Sequence, residues 1–381
     1  KAGEYANELI HVGFVSTNSI NQGQQVGHLW DILLGKYNFK INFVFKDFKW
    51  KSDARGAATV TVVIIGFSKT SIDKKRLFYL AENKIVEENP KYISPYLIGS
   101  DIELPIVRKT SSSLNNLPTI IKGSQPRDNQ HYIFTHDEKR SFLEREPGAE
   151  PFLRPYVNAD GFLKNVSRWI LTLQNIKPNE LRKLPEIKKR VAEVKLFRSK
   201  SDSSETRELD PLHYYADVIP TNPFLVIPAT TSERREYIPL GFLEPPIIPS
   251  NATMIIENAS LGLFGLLSSK MHMLWVRTVG GKLESRLRYS VGIIYKTFPP
   301  PENDFEILEN VSKKILQIRS KYPDDSLEDL YDPVTMPSDL KKAHFDLDIA
   351  VEKLYRSKPF STDDERISFL LSKYEEMIVE K

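Results

Sequence analysis

Residues 40–67 read KINFVFKDFKWKSDARGAATVTVVIIGF, and this stretch decides the fold class. Residues 40–46 are a short strand-forming run, and 59–67 are a β-branched run of the kind that fills a buried strand. Between them KWKSDARGAA is polar and contains a Gly, so the two runs are expected to form an antiparallel hairpin at a sheet edge. Upstream, His11–Thr17 is a short apolar strand and 24–34 a helix rich in apolar positions. Residues 1–98 therefore alternate strand and helix as half of an α/β sheet.

From 99 to 300 the pattern changes. Pro, Gly, Ser and Asn interrupt short apolar runs, which points to a mixed α+β domain with long loops. One helix stands out over 180–200, capped by Asn179, with Leu181, Leu184, Ile187, Val191, Val194 and Phe197 as its apolar stripe opposite Arg182, Lys183, Lys188, Lys189 and Arg190. Pro185 either sits near its first turns or starts a second helix. After PPPEN the chain turns helical, with candidates at 304–321, 337–355 and Asp363–Val379. The expected organisation is thus 1–98, 99–300 and a small helical unit at 301–381.

With 381 residues and 40% hydrophobic content, the chain can bury ordinary cores. No apolar run of about 18 residues occurs, and KAGEYANELI lacks the regions of a signal peptide, so no membrane partner is expected and the setting reads as cytoplasmic. Zero cysteines exclude disulfides and thiol catalysis. The net charge of +3 conceals an asymmetry: residues 301–381 carry 12 Lys and Arg against 19 Asp and Glu, leaving +10 on residues 1–300. A positive body attracts a polyanion. The acidic tail is expected to face solvent, a partner subunit or another domain, or simply to be well solvated.

The positive charge concentrates in 267–298, LSSKMHMLWVRTVGGKLESRLRYSVGIIYKTF, where Lys270, Arg277, Lys282, Arg286, Arg288 and Lys296 face one acid, Glu284. Such a segment suits nucleic acid, because Lys and Arg neutralise phosphates and a few side chains reach base edges. Lys282, Glu284 and Arg286 alternate after Gly280 and Gly281, so on a strand or extended loop they share a face. Glu accepts from cytosine N4 and Arg binds guanine bidentately, which makes Glu284 with Arg286 the candidate base-reading pair. Arg288 and Tyr289 are expected to hold the backbone, and Ser232, Arg234 and Arg235 of SERREY to contact phosphates. The plainer alternative is a solvated, salt-bridged strand.

Four blocks, HVGFVSTNSINQGQQVGHLW at 11–30, TTSERREYIPLGFL at 230–243, LSSKMHMLWVR at 267–277 and GKLESRLRYSVGIIYKTFP at 281–299, run in order over nearly the whole chain. Together they resemble the large bacterial DNA adenine methyltransferases of the MmeI-like type, which include fused restriction-modification enzymes. The resemblance implies the later half of a class I methyltransferase (Rossmann-like) domain, a target recognition domain and a helical C-terminal domain. It also implies double-stranded DNA as partner and S-adenosylmethionine as the parent enzyme's cofactor.

On that resemblance VTVVIIGFSK ends in Phe67, the candidate wall of a pocket for an adenine rotated out of the duplex. Its alternative is a core ring at a strand end. FVSTNSI brings Asn18 to the carboxyl edge of the sheet, as a target-base pocket group or as part of a helix cap. Lys49 and Trp50 of FKDFKW point toward DNA or the active site, or pack. The family's Asn-Pro-Pro-aromatic loop and Gly-containing cofactor loop do not occur before His11, so no catalytic residue is assigned. The chain alone is expected to bind DNA without methylating it or holding the cofactor, with a missing methyltransferase half or partner subunit completing it. Asn222-Pro223-Phe224 lacks the second Pro and opens the FLVIP strand. Scattered His residues supply no metal cluster, and neither a hydrolase spacing nor a GxxxxGK[ST] loop is present. Two rival readings stand beside the enzyme fragment: a stand-alone DNA specificity module for a separate methyltransferase or nuclease subunit, and a protein interaction scaffold.

Overall fold

The computed structural model describes residues 1–50, 60–82 and 84–379, so of the polar loop read at 49–58 only Lys49 and Trp50 are described, as the end of a strand, and the rest lies outside the described residues. The chain forms two compact units, one from Lys1–Leu117, Ser269–Asp304 and Asp348–Lys381, the other from Pro118–Ser268 and Phe305–Leu347. The first is built on a five-stranded sheet of β1 (His11–Thr17), β2 (Lys40–Trp50), β3 (Val60–Ser68), β4 (Arg76–Ala81) and β5 (Lys84–Glu88), in the order β1-β3-β2-β4-β5. Strand β3 is antiparallel to both β1 and β2, and β4 runs parallel to β2. The expected hairpin of β2 and β3 is present, but it is interior: β1 flanks one side and β4 the other.

Strand β2 gains residues on β3 through register shifts between Ile41 and Phe43 and between Phe45 and Phe48. The first of these bulges frees Asn42, whose amide donates to Ser68 Oγ at 2.8 Å and to the Thr70 carbonyl at 2.9 Å, so a buried polar side chain is satisfied. The helix after β1, α1 (Gln24–Trp30), continues as a π-helical turn over Asp31–Lys36 and buries Val26, Trp30 and Leu33.

The second unit holds two four-stranded sheets. Its strands are β6 (Ile121–Lys122), β7 (Ile133–Phe134), β8 (Leu153–Val157), β9 (Arg168–Leu171), β10 (Phe224–Pro228), β11 (Gly241–Leu243), β12 (Ile248–Pro249) and β13 (Thr253–Glu257), arranged β12-β8-β9-β7 and β11-β10-β13-β6. The helical stripe near 180–200 is split. Pro185 occupies the first turn of α2 (Pro185–Ser199), where its missing N–H costs nothing, and a separate turn covers Pro178–Leu181. The exposed N–H groups of Glu186 and Ile187 are capped from outside by the Glu146 carboxylate, both at 2.9 Å. Ile187 and Val194 are buried as expected, but Phe197 is 39% exposed and Arg198 takes the place expected for it. At 3.6 residues per turn, position 198 follows 187 and 194 on the stripe while 197 falls beside it. The Arg198 guanidinium fits there because the carbonyls of Pro126, Arg127, Asp210 and His213 accept its N–H groups.

Helix α3 (Lys270–Val279) and the strands β14 (Gly281–Leu283) and β15 (Arg286–Arg288) return to the first unit. The C-terminal helices are α4 (Glu309–Arg319), α5 (Ser338–Tyr355) and α6 (Asp363–Val379). The acids of this tail are largely turned onto cations of their own units: Asp363 meets Lys270 at 3.0 Å, Asp364 meets Lys46 at 3.3 Å, and Asp332 meets Arg234 at 3.6 Å.

Candidate nucleic-acid interface

Strands β14 and β15 form an antiparallel hairpin in which Gly281 faces Arg288, Lys282 faces Leu287 and Leu283 faces Arg286. Lys282, Glu284 and Arg286 therefore do not share one face of a single strand. Glu284 lies in the turn with φ of 58°, and Arg286 is on the returning strand. The turn brings the pair together: Arg286 Nη2 lies 3.0 Å from Glu284 Oε2, with both side chains exposed. A non-glycine residue in the left-handed region costs on the order of 1 kcal/mol. Leu287 is buried beneath the hairpin, whereas Arg286 and Arg288 on either side of it are exposed.

The base of this hairpin is seated against the loop that joins β1 to α1 in the first unit. Gly23, with φ of 57°, precedes α1, and a Cβ built there would lie 3.1 Å from the Gly281 Cα. Two backbones approach so closely that only glycine fits.

Helix α3 anchors the other side. It is capped by Ser269, whose hydroxyl accepts from the His272 N–H, and it buries Met271, His272, Met273, Trp275, Val276 and Val279. Trp275 donates to the Ile294 carbonyl at 3.2 Å and packs its ring near Phe298 and Tyr374. Of the cations chosen from sequence, Arg277 is exposed, and Lys270 has its N–H on Asp348 and its ammonium 3.0 Å from Asp363. Tyr289 departs from its expected role. Its ring is buried and its hydroxyl lies 3.0 Å from His272 Nε2, so it is a core anchor and not a backbone grip.

On the sheet, Phe67 is 1% exposed and meets Phe14, Trp30 and Phe39 edge-on at 4.9, 6.0 and 5.0 Å. An enclosed ring cannot stack on a base, so Phe67 is the hub of an aromatic core, not a pocket wall. Asn18 opens the 3-10 turn after β1 and donates to Asp47 at 3.0 Å. Lys49 is exposed near the end of β2, and Trp50 is 53% exposed.

The SERREY cations belong to the second unit. Ser232 Oγ accepts from the Arg234 N–H at 3.3 Å, and Arg234 is exposed beside Asp332. Arg235 is 5% exposed, bonded to Thr231 Oγ1 at 3.2 Å and paired with Glu328 at 3.5 Å. Burial holds its guanidinium pKa below the ordinary arginine value, with Glu328 opposing that shift. It braces the segment from within and offers nothing to a phosphate. Sequence reasoning missed Gly23, Glu328 and Asp332. Only Gly23 left a signal, as a glycine directly ahead of a helix in the NQGQQ run.

A sheet ending β1-β3-β2, with β3 antiparallel between two parallel strands, and an exposed Glu-Arg hairpin seated against the loop after β1, define the closing part of a class I methyltransferase domain joined to a mixed α+β domain. Three family models match in order: the MmeI DNA-methyltransferase domain over residues 1–79, the MmeI target recognition domain over 101–302, and the MmeI C-terminal domain over 301–380. The chain belongs to the MmeI family. It is 41% identical to the type IIL restriction-modification enzyme MmeI, solved in complex with DNA, with a TM-score of 0.90 over 99% of this chain and 51% of that one. It is 36% identical over 370 residues to DNA methyltransferase A of Bacillus subtilis (strain 168), covering 96% of this chain and 41% of that protein. The chain thus spans about half the length of these relatives.

Proposed function

We propose that this chain is the target-recognition portion of an S-adenosylmethionine-dependent DNA adenine-N6 methyltransferase of the restriction-modification kind, and that it binds duplex DNA at specific sequences. The observation that carries this reading is the seat of the 281–288 hairpin. Its base runs against Gly23, so the exposed Glu284 and Arg286 share one compact unit with the closing strands of a methyltransferase sheet. A base pair read at the hairpin is then held at a fixed distance from the sheet that serves the chemistry. A cytosine N4 amino group for Glu284 and a guanine O6 and N7 for Arg286 match this pair, at about 1–3 kcal/mol of discrimination for a good bidentate contact. Lys282, Arg277, Arg288, Arg234 and Lys49 are assigned to phosphates. The functional segments 1–98, 99–300 and 301–381 are part of the same proposal.

The enzyme-fragment form is favoured over a stand-alone specificity module by the outer edge of β1. Among the described residues this strand pairs only with β3, so its outer N–H and C=O groups form an edge that further strands would pair. The groups at the carboxyl end of β1 are short, neutral and already engaged: Thr17 with Ser19 at 2.7 Å and Asn18 with Asp47. They do not amount to a nucleoside cradle, and no cofactor contact is assigned to them.

Selection of bound sites from a randomised duplex library tests the reading, with the wild type compared to the double variant Glu284→Lys, Arg286→Asp. The expected result is a motif that changes at one base pair. Equal loss on all sequences rejects base reading by this pair, and a wild type without salt-dependent duplex binding rejects the whole reading.

A further inference from the structure

We infer that the solvent face of α2, in the second unit, is a separate sequence-independent contact for the sugar-phosphate backbone of duplex DNA. Lys188, Lys189, Lys195 and Lys200 are all exposed along this helix and its C-cap. At about 100° per residue they fall within an arc of roughly 140°, and from Lys188 to Lys200 they extend roughly 18 Å along the axis. Laid along the winding backbone, that length faces about three phosphates of one strand. The opposite face, with Ile187, Val194 and Arg198, is buried.

What marks this face is the grouping of its cations on one side of a single helix. None of the four lysines makes an ion pair among the described residues. The two acids of α2 border this arc, Glu193 one turn from Lys189, and are held by other partners, Glu186 near Arg145 at 3.8 Å and Glu193 near His131 at 3.2 Å. Ala192 and Leu196, the latter 58% exposed, lie between the lysines and give the face an apolar centre suited to sugar edges. Flexible ammonium groups are point charges, which grip phosphates without reading bases.

This inference rests on the DNA-binding reading, and the test separates the two. The full chain carrying Lys188→Gln, Lys189→Gln, Lys195→Gln and Lys200→Gln is titrated with a mixed-sequence duplex from about 50 to 200 mM salt. Each phosphate that is no longer neutralised flattens the slope of log affinity against log salt by about 0.9, so a decrease of about 2–4 is expected, with the selected motif unchanged. A slope equal to that of the wild type overturns the proposal. A changed motif overturns it as well. A wild type that shows no salt-dependent binding removes the underlying reading instead. Should the fourfold variant melt early, the pair Lys188→Gln, Lys195→Gln carries the same test at about half the change.

Discussion

His272 Nε2 lies 3.0 Å from the Tyr289 hydroxyl inside the first unit, and this buried contact ties α3 to the residue that follows β15. Phe298 meets the imidazole edge-on at 4.7 Å, and among the described residues Nδ1 has no hydrogen-bond partner and no carboxylate is positioned to compensate a proton. Burial alone lowers the His272 pKa to about 3 from an ordinary 6.5.

The sign of the resulting pH dependence follows from that shift. The unfolded chain takes up a proton near pH 6.5 that the folded chain refuses, so stability is complete above pH 6.5 and declines as pH falls toward 3. At pH 5 the loss from this one group is about 2 kcal/mol. His344, buried and lowered in the same direction, adds to the acid sensitivity. In chemical denaturation at pH 7.5 and 5, His272→Gln, which retains a partner for Tyr289, should lose about 2 kcal/mol less on acidification than the wild type. Equal losses would show that His272 is not buried neutral.

Glu284 combines an exposed carboxylate with a left-handed backbone, and the two properties make opposite demands. Glycine at this position relieves the backbone but costs some chain entropy in return. Glu284→Gly is therefore expected to leave the melting temperature unchanged or to raise stability by up to about 1 kcal/mol, while abolishing preference at one base pair in site selection. A loss of stability instead would assign Glu284 to the fold.

Arg234 and Arg235 are neighbours in sequence with different physics. Arg234 is exposed and its pair with Asp332 is worth roughly 0–1 kcal/mol, so Arg234→Ala should hardly change thermal stability. Arg235 is buried, but its partner Glu328 is partly exposed and remains hydrated when the guanidinium is removed. Arg235→Ala should cost about 1–3 kcal/mol, mainly through poorer packing and the stranded Thr231 hydroxyl. If the duplex salt slope flattens for Arg235→Ala at unchanged stability, the assignment of Arg235 to the interior is wrong.

The sheet was legible because its strands declare themselves locally: β-branched VTVVIIGF and the HVGFVST run each form the element their composition favours. Strand order was not, because whether a hairpin is interior or at an edge depends on pairings with β1 and β4 that no local pattern encodes. The candidate site was half legible. Charge type identified Glu284 and Arg286, yet Tyr289 and Arg235 read as surface groups because burial is set by distant partners, His272 in one case and Glu328 with Thr231 in the other. Likewise a stripe counted by residue type put Phe197 where helical geometry puts Arg198.

The seat of the hairpin can be tested by an asymmetry between two glycines that touch. A methyl added at Gly23 would lie 3.1 Å from the Gly281 Cα and 3.2 Å from its nitrogen, on a backbone that alanine adopts with difficulty. A methyl added at Gly281 meets nothing within 4 Å. Gly23→Ala should therefore cost about 1–3 kcal/mol, from the left-handed φ and from displacement of the hairpin, and should blunt base preference. Gly281→Ala should change neither stability nor preference. Thermal unfolding and site selection on both variants settle the point: a silent Gly23→Ala would mean that the hairpin is not seated there, and equal damage from both would mean that the methyltransferase sheet and the hairpin meet through other groups.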